Sequence, residues 1–148
     1  MTYKITIGIP MKNTFYILVF IVLFTSCKKE AGVGGTGTIK GKILVNDYNG
    51  NIFSGNTFNG ADYDVYIIYG GTNSYYDDKI SSSYDGSFEF RYLRKGDYKI
   101  FVYSQDVDGS GSTGNIEPVF SSATLTSNNE TVDIGTIEIN DWFKQNNS

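Results

Sequence analysis

The chain has 148 residues, with 12 basic and 16 acidic side chains, one cysteine and no histidine. Without histidine, neither a Ser-His-Asp nor a Cys-His catalytic site can form, and a zinc site built on histidine is also excluded. The net negative charge argues against nucleic acid as a partner, because phosphate backbones repel an acidic protein. We therefore expect a protein that is not an enzyme.

The first 26 residues have the composition of an export signal. Two lysines precede an apolar run at residues 15–24, and two small polar residues follow that run. Ten residues of helix span only about 15 Å, half of a bilayer's hydrocarbon core, so a transmembrane helix is not expected. We predict a signal peptide at residues 1–26, with either Met1 or Met11 as the start.

The single cysteine, Cys27, directly follows this segment. An odd cysteine in an exported protein is a free thiol, part of an intermolecular disulfide, or a modified residue. The order of basic residues, apolar run, small residues and cysteine resembles the lipobox of bacterial lipoproteins. That resemblance implies cleavage before Cys27, acylation with fatty acids such as palmitate, and stable membrane attachment through more than one chain. Lys28 is not an acidic retention signal, so by analogy we expect the outer membrane, on either its periplasmic or its surface face.

From residue 38 onward, apolar and polar residues alternate with a period of two. Before that point, residues 27–37 contain the lipidated cysteine and a Gly-rich polar stretch, predicted to be a flexible tether. We expect one all-β domain at residues 38–140, folded as a seven-stranded Greek-key sandwich, and a C-terminal tail at 141–148. The seven predicted strands are residues 38–45, 62–69, 79–84, 87–93, 97–104, 118–126 and 130–139.

Three local features refine this prediction. Alternation in the fourth strand places Phe88, Phe90 and Tyr92 on its inner face. The pair Asp85-Gly86 is predicted to be a two-residue hairpin turn between the strands on either side. The apolar positions change phase at Gly135, where a β-bulge would restore their inward orientation.

The segment YDGSFEFRYLRKGDYKIFVYS, residues 84–104, resembles the transthyretin-like, or carboxypeptidase regulatory-like, β-sandwich modules. The opening GTIKGKILVN and the closing ETVDIGTIEI resemble the first and last strands of that family. The resemblance implies a sandwich that supports or binds other molecules. On a lipid tether, it implies an accessory or binding protein of the cell envelope, with another envelope protein as one partner. The matching positions are Asp85, Gly86, Phe88, Phe90, Leu93, Gly96 and Tyr98.

The stretch QDVDGSGSTGNIE, residues 105–117, has the spacing of a twelve-residue calcium loop. Asp106, Asp108, Ser110 and Glu117 would supply side-chain oxygens. No helical pattern flanks the stretch, so an EF-hand is excluded, and the alternation on both sides indicates a crossover between strands. Two hypotheses remain for this segment, a weak calcium site and a plain polar loop.

Several aromatic residues lie in polar, loop-like surroundings rather than in strand alternation. Tyr48, Phe53, Tyr75 and Tyr76 are candidates for binding a ligand, as is Phe58. Exposed aromatic rings flanked by Asn and Asp are typical of sandwiches that stack sugar rings, and loops on rigid scaffolds often carry function. The alternative is that these rings only fold back to anchor their own loops or form pairs on edge strands. Carbohydrate binding is therefore the second functional hypothesis, beside a general binding or accessory role.

Paired carboxylates are the remaining route to an enzyme. Asp62 and Asp64 share one face of a predicted strand, and glycoside hydrolases use two carboxylates across the scissile bond. Charged residues on a strand face are usually only solvated, however, and no spacing in the sequence assigns one as acid and one as base. The sequence therefore predicts neither catalysis nor a cofactor beyond the possible calcium.

Overall fold

The structure, a computed structural model, describes residues 30–49, 52–71, 75–107 and 115–142. The predicted signal peptide, Cys27 and residues 143–148 lie outside this range. In the described part of the chain, no helix has the length and apolarity needed to cross a membrane.

The described residues form eight β-strands and no helix. Residues that alternate between apolar and polar types favour strands, because successive side chains of a strand point to opposite faces of a sheet. The strands are β1 Val33–Asn49, β2 Ile52–Asn59, β3 Asp64–Tyr69, β4 Asp78–Ser81, β5 Ser87–Leu93, β6 Gly96–Gln105, β7 Ile116–Leu125 and β8 Thr131–Trp142.

The strands form two four-stranded sheets. In sheet A, the long strand β1 pairs with β5 through its first half and with β2 through its second half, while β8 runs parallel to it on its other side. In sheet B the order is β4-β3-β6-β7, and all neighbours are antiparallel. The two sheets enclose one core, which is the arrangement of a β-sandwich. The predicted Greek-key order stays a prediction.

The core consists of alternate side chains from both sheets. Each fully buried Val or Ile contributes about 1.5–3 kcal/mol relative to an exposed position, so this layer holds the two sheets together. The members buried most completely are Ile39, Ile43, Val45 and Ile139 from sheet A, and Val65, Ile67, Tyr98, Ile100, Val102 and Leu125 from sheet B.

The prediction of seven strands missed β2, which lies in a segment predicted to be a polar loop. Nearly all of its residues are exposed on both faces, so its sequence shows no alternation. It forms because β1 continues beyond the core and offers a second set of backbone partners, from Leu44↔Asn59 to Asn49↔Ile52.

Two local predictions in the middle of the chain were wrong. Tyr92 is 70 % exposed and has a φ of 60°, whereas Leu93 is buried in its place. The pair Asp85-Gly86 does lie in a tight turn, in which the Gly86 amide donates to the Ser83 carbonyl and the Ser83 amide to the Ser87 carbonyl, both at 2.8 Å. The strands on either side do not form a hairpin, however, because β4 belongs to sheet B and β5 to sheet A. Gly86 instead crosses between the sheets with a φ of 82°, and a side chain there would collide with the carbonyl oxygen of Ile43.

The bulge expected near Gly135 is present. The parallel register of β1 and β8 shifts between Lys40 and Lys42, opposite the Asp133–Thr136 segment, and Gly135 has a φ of 74°.

Strand β1 begins at Val33, five residues before the predicted domain boundary. Ala31 already lies against Gly96, and the Gly32 carbonyl accepts a hydrogen bond from the Arg94 amide. We call this the N-terminal end of the sandwich. Strands β1, β6 and β8 all run from it to the opposite end, which we call the distal end.

Candidate functional site

Five aromatic side chains cluster on the face of sheet B that points away from the core. Alternation buries Val65 and Val102, so the aromatic residues next to them in β3 and β6 point outward. The register then aligns three neighbouring strands, with Tyr66 opposite Phe101 and Phe101 opposite Phe120. We call the whole cluster the aromatic surface; its members are Tyr66, Tyr76, Phe101, Tyr103 and Phe120.

The rings of the aromatic surface contact one another. Tyr66 and Phe101 are stacked, with centroids 4.9 Å apart and planes at 12°. Tyr103 meets both of these rings edge-on at 5.4 and 5.5 Å. Phe120 lies 5.3 Å from Phe101, and Tyr76 lies 4.8 Å from Tyr66. Mutual packing of this kind fixes the rings in place and stabilises each pair by about 0.5–1.5 kcal/mol.

Three of these rings are substantially open to solvent. Tyr76 is 50 % exposed, Tyr103 42 % and Phe120 55 %, whereas Phe101 is covered by its neighbours. Single exposed aromatic residues are ordinary on protein surfaces, but a contiguous exposed cluster marks a site of interaction. The aromatic surface is therefore the first half of the candidate site.

A polar cleft of about 510 Å³ adjoins the aromatic surface at the distal end. Tyr66 and Tyr103 line both regions and so join them. The cleft is lined by three aspartates and by amide and hydroxyl side chains, and its described lining contains no lysine or arginine. The polar lining residues are Asp62, Asp64, Asp141, Asn140, Gln105, Ser81 and Ser104.

Asp141 is held in the cleft by a half-buried tyrosine, Tyr63. The Tyr63 hydroxyl donates a hydrogen bond of 2.5 Å to the Asp141 carboxylate. Burial, together with this bond and the nearby negative charge, raises the pKa of Tyr63 well above its ordinary value. Tyr63 therefore stays protonated and keeps the carboxylate oriented.

Asp64 is an ionised carboxylate beside the aromatic surface. Its oxygen lies 2.6 Å from the Lys79 ammonium and accepts a 3.3 Å hydrogen bond from the Tyr66 hydroxyl. The hydrogen bond from Lys79 is the main reason that the pKa of Asp64 is lowered. Lys79 also lies 5.9 Å from the centre of the Tyr66 ring, which adds a cation–π contact.

Gln105 supplies a further acceptor. Its Oε1 atom is buried and has no hydrogen-bond partner among the described residues. Buried side-chain oxygens are normally bonded, and Gln105 lines the cleft, so a rotation of its side chain would present this unpaired acceptor to a ligand's hydroxyl group.

The aromatic residues singled out from the sequence separate into three places. Tyr76 joins the aromatic surface, and Tyr75 is 84 % exposed in the same β3–β4 connection. Tyr48 and Phe53 instead face each other across β1 and β2, with ring centroids 5.5 Å apart. Phe58, near the end of β2, packs against the core.

The predicted calcium loop connects neighbouring antiparallel strands, so it is a hairpin connection and not a crossover. The Asp106 amide donates to the Asn115 carbonyl at 2.9 Å, and Glu117 lies opposite Ser104 in the register. Asp108 and Ser110 lie outside the described residues. Within the ranges that the structure describes, no group of three or more His, Cys, Asp or Glu residues could hold a metal ion. A calcium site at residues 105–117 stays a prediction.

Sequence reasoning missed Tyr66, Phe101, Tyr103 and Phe120. They alternate with core residues and therefore seemed to be ordinary strand positions. The signal available in the sequence was that three separate strands carry aromatic residues at outward-facing positions. The sequence could not show that these strands are neighbours, because β3 pairs with β6 although β4 and β5 lie between them in the chain.

No protein-family model matches the chain, and no curated protein matches it either. Solved structures match at low similarity. A candidate carbohydrate-binding protein from Pseudomonas aeruginosa matches with 14 % identity and a TM-score of 0.43, over 75 % of this chain and 92 % of that one. The major pilin subunit of Bacillus cereus matches with 20 % identity and a TM-score of 0.45, over 72 % of this chain and 30 % of the pilin.

An (S)-allantoin synthase matches with 9 % identity and a TM-score of 0.43, over 89 % of this chain and 52 % of the synthase. The chain thus spans about half the synthase and less than a third of the pilin. Identities and TM-scores this low carry no functional argument, so function is argued from the site itself.

Proposed function

We propose that this protein is a non-enzymatic carbohydrate-binding module of the cell envelope, attached to a membrane by lipid on Cys27. The observation that carries the binding role is the aromatic surface, with three exposed rings beside a cleft lined by hydrogen-bond acceptors. Cys27 and its acylation rest on the sequence pattern alone.

The two halves of the site match the two kinds of surface on a sugar. A pyranose ring has an apolar face of C–H groups and an edge of hydroxyl groups. Flat aromatic rings bury the apolar face, while carboxylate and amide oxygens accept hydrogen bonds from the hydroxyl groups. Binding sites generally combine apolar walls with a few placed polar groups of this kind.

The charge of the cleft indicates which sugars fit. Asp62, Asp64 and Asp141 line it, and the nearby Lys79 is already paired with Asp64. A polyanionic glycan would place its carboxylates or sulfates against these aspartates, and like charges repel in a site of reduced dielectric constant. Neutral sugars and amino sugars are therefore the proposed ligands.

The geometry of the carboxylates supports binding rather than hydrolysis. A glycosidase needs one carboxylic acid with a raised pKa to protonate the leaving group. In Asp64 the pKa is shifted in the opposite direction by Lys79. Asp62 lies outside β3 with a φ of 62° and is exposed, so it does not share the strand face expected from the sequence.

Sugar binding can be tested on a glycan array, followed by affinity electrophoresis in gels containing dextran, mannan, xylan or alginate. We expect retardation by at least one neutral polysaccharide and none by alginate. The changes Tyr103→Ala and Phe120→Ala should each weaken binding about tenfold, because each removes an exposed stacking surface worth about 1–1.5 kcal/mol.

Tyr92→Ala is the matched control, since Tyr92 is 70 % exposed and lies in sheet A beside Leu93, which pairs with Val33 at the N-terminal end of the sandwich. It should bind as well as the unchanged protein. Equal losses in all three variants, or no retardation by any glycan, would overturn the proposed ligand class.

Lipid attachment can be tested in a bacterial host by metabolic labelling with radioactive palmitate. We expect label in the full chain and none in the Cys27→Ala variant, whose signal peptide should also remain uncleaved. Label retained in that variant, or absent from the unchanged chain, would contradict acylation at Cys27.

A further inference from the structure

A second pocket, of about 400 Å³, lies at the N-terminal end of the sandwich, opposite the sugar site. It is formed by the start of β1, the β5–β6 turn and the β7–β8 turn. Two cationic side chains and two glycines dominate its lining, which consists of Gly34, Gly35, Thr36, Arg94, Lys95 and Asn128.

A bulge in β1 creates the pocket. Val33 and Gly37 both lie opposite Leu93, so the three residues between them have no partner in the registers of β5 or β8. A side chain at Gly35 would collide with the Leu93 carbonyl, and Gly34 adopts a φ of 96°. Only glycine permits the chain to run this close to the β5–β6 turn, and the missing side chains leave an open concavity.

The charge of this pocket is positive and is not neutralised by its described neighbours. A side chain at Gly34 would meet the Arg94 guanidinium at 3.1 Å, so that cation lies over the bulge. Arg94 and Lys95 are exposed and form no ion pair with any described residue. The carboxylate in the adjoining turn, Glu130, is already bonded to the Thr126 and Ser127 amides. Exposed Arg and Lys beside a glycine-rich backbone are suited to phosphate.

The pocket also lies close to the proposed lipid. Only residues 28–30 separate Cys27 from Ala31, which is packed against Gly96. An extended chain covers at most about 14 Å between those two α-carbons, so acylation at Cys27 would hold this end of the domain at the headgroup layer.

We propose that this pocket binds the phosphate group of membrane lipids and seats the N-terminal end on the bilayer. The membrane location rests on the proposed lipid attachment, but the pocket's affinity for lipid phosphate does not. The remainder of the domain is acidic overall, so an anionic surface attracts this end and repels the rest. The strands of the sandwich then point away from the membrane surface. The sugar site lies about 30 Å farther from the bilayer than the pocket, because β1 rises through ten residue steps from Thr36 to Asn46.

The test uses the unacylated chain 28–148, which retains all eight strands and the whole core. Sedimentation is measured with vesicles of phosphatidylcholine alone and with vesicles containing phosphatidylglycerol. We expect binding to the anionic vesicles, and about 25-fold weaker binding after Arg94→Gln with Lys95→Gln, because each cation near such a surface is worth about fivefold.

The control is Lys40→Gln with Lys42→Gln, which removes the same charge from the middle of β1. It should bind nearly as well as the unchanged chain. An equal loss in both double variants would overturn the pocket, since net charge alone would then explain binding. Affinity for inorganic phosphate in solution without binding to vesicles would overturn lipid as the source of the phosphate. Vesicle binding with no palmitate at Cys27 would leave this pocket in place and refute only the proposed attachment.

Discussion

The Tyr98 hydroxyl ties the first described residues to the body of the sandwich. It lies at the core boundary, donates to the Arg94 carbonyl at 2.6 Å and accepts from the Gly32 amide at 3.1 Å. Its ring is 1 % exposed and meets Tyr69 edge-on. Because the Arg94 carbonyl belongs to the turn that carries the cations, this single hydroxyl also fixes the geometry of the proposed phosphate pocket.

The change Tyr98→Phe should lower the free energy of unfolding by about 1–3 kcal/mol, because it leaves the buried Gly32 amide without its partner. Equilibrium unfolding in urea measures this, with Tyr84→Phe as the exposed control that should change nothing. A loss below about 0.5 kcal/mol would mean that the hydroxyl does not hold the N-terminal segment.

At the scale of single elements, the β7–β8 turn depends on one carboxylate. Glu130 accepts hydrogen bonds from the amides of Thr126 and Ser127 at 2.7 and 2.8 Å. These backbone bonds lower the pKa of Glu130 below its ordinary value of 4.5. The folded protein therefore binds fewer protons at this site than the unfolded chain. The stabilising contribution is present above pH 4.5 and is lost as the pH falls through the lower, folded-state pKa.

We expect the unchanged protein to lose stability as the pH is lowered from about 5 to 3, and Glu130→Gln to lose less over that range. At neutral pH the variant should be the less stable of the two. Urea unfolding at a series of pH values gives both results. Parallel pH profiles for the two proteins would show that Glu130 is not bonded as described.

Strands were predictable from sequence where one face of the strand is buried, as in β3 and β6, because burial imposes alternation. The strand β2 was not, since all of its side chains except Phe58 are exposed and no alternation results. Tyr92 was misassigned because its own left-handed backbone conformation interrupts the alternation of β5. As a result, Leu93 points into the core and Tyr92 points to solvent. The aromatic surface needed the register of β3, β6 and β7, and alternation within one strand contains no information about its neighbours.

On the scale of the whole molecule, the two proposed sites lie at opposite ends of parallel-running strands. β1 starts beside the cationic pocket, and β8 reaches the aspartate-lined cleft at Asn140, which lies opposite Asn46 of β1. A rigid sandwich is well suited to this arrangement, because it holds a ligand site at a fixed height above its attachment point. The sequence pattern around Cys27 predicts the attachment end, whereas the proposed ligand end requires the assembled sheets.

The most direct test of sugar binding on sheet B is an NMR titration of isotope-labelled protein with whichever neutral oligosaccharide binds on the array. We expect the largest shift changes at Tyr66, Tyr103, Phe120 and the cleft residue Gln105. The hairpin pair Tyr48 and Phe53 should not shift. Changes centred on that hairpin, or spread over no defined surface, would contradict the assignment of the aromatic surface as the ligand site.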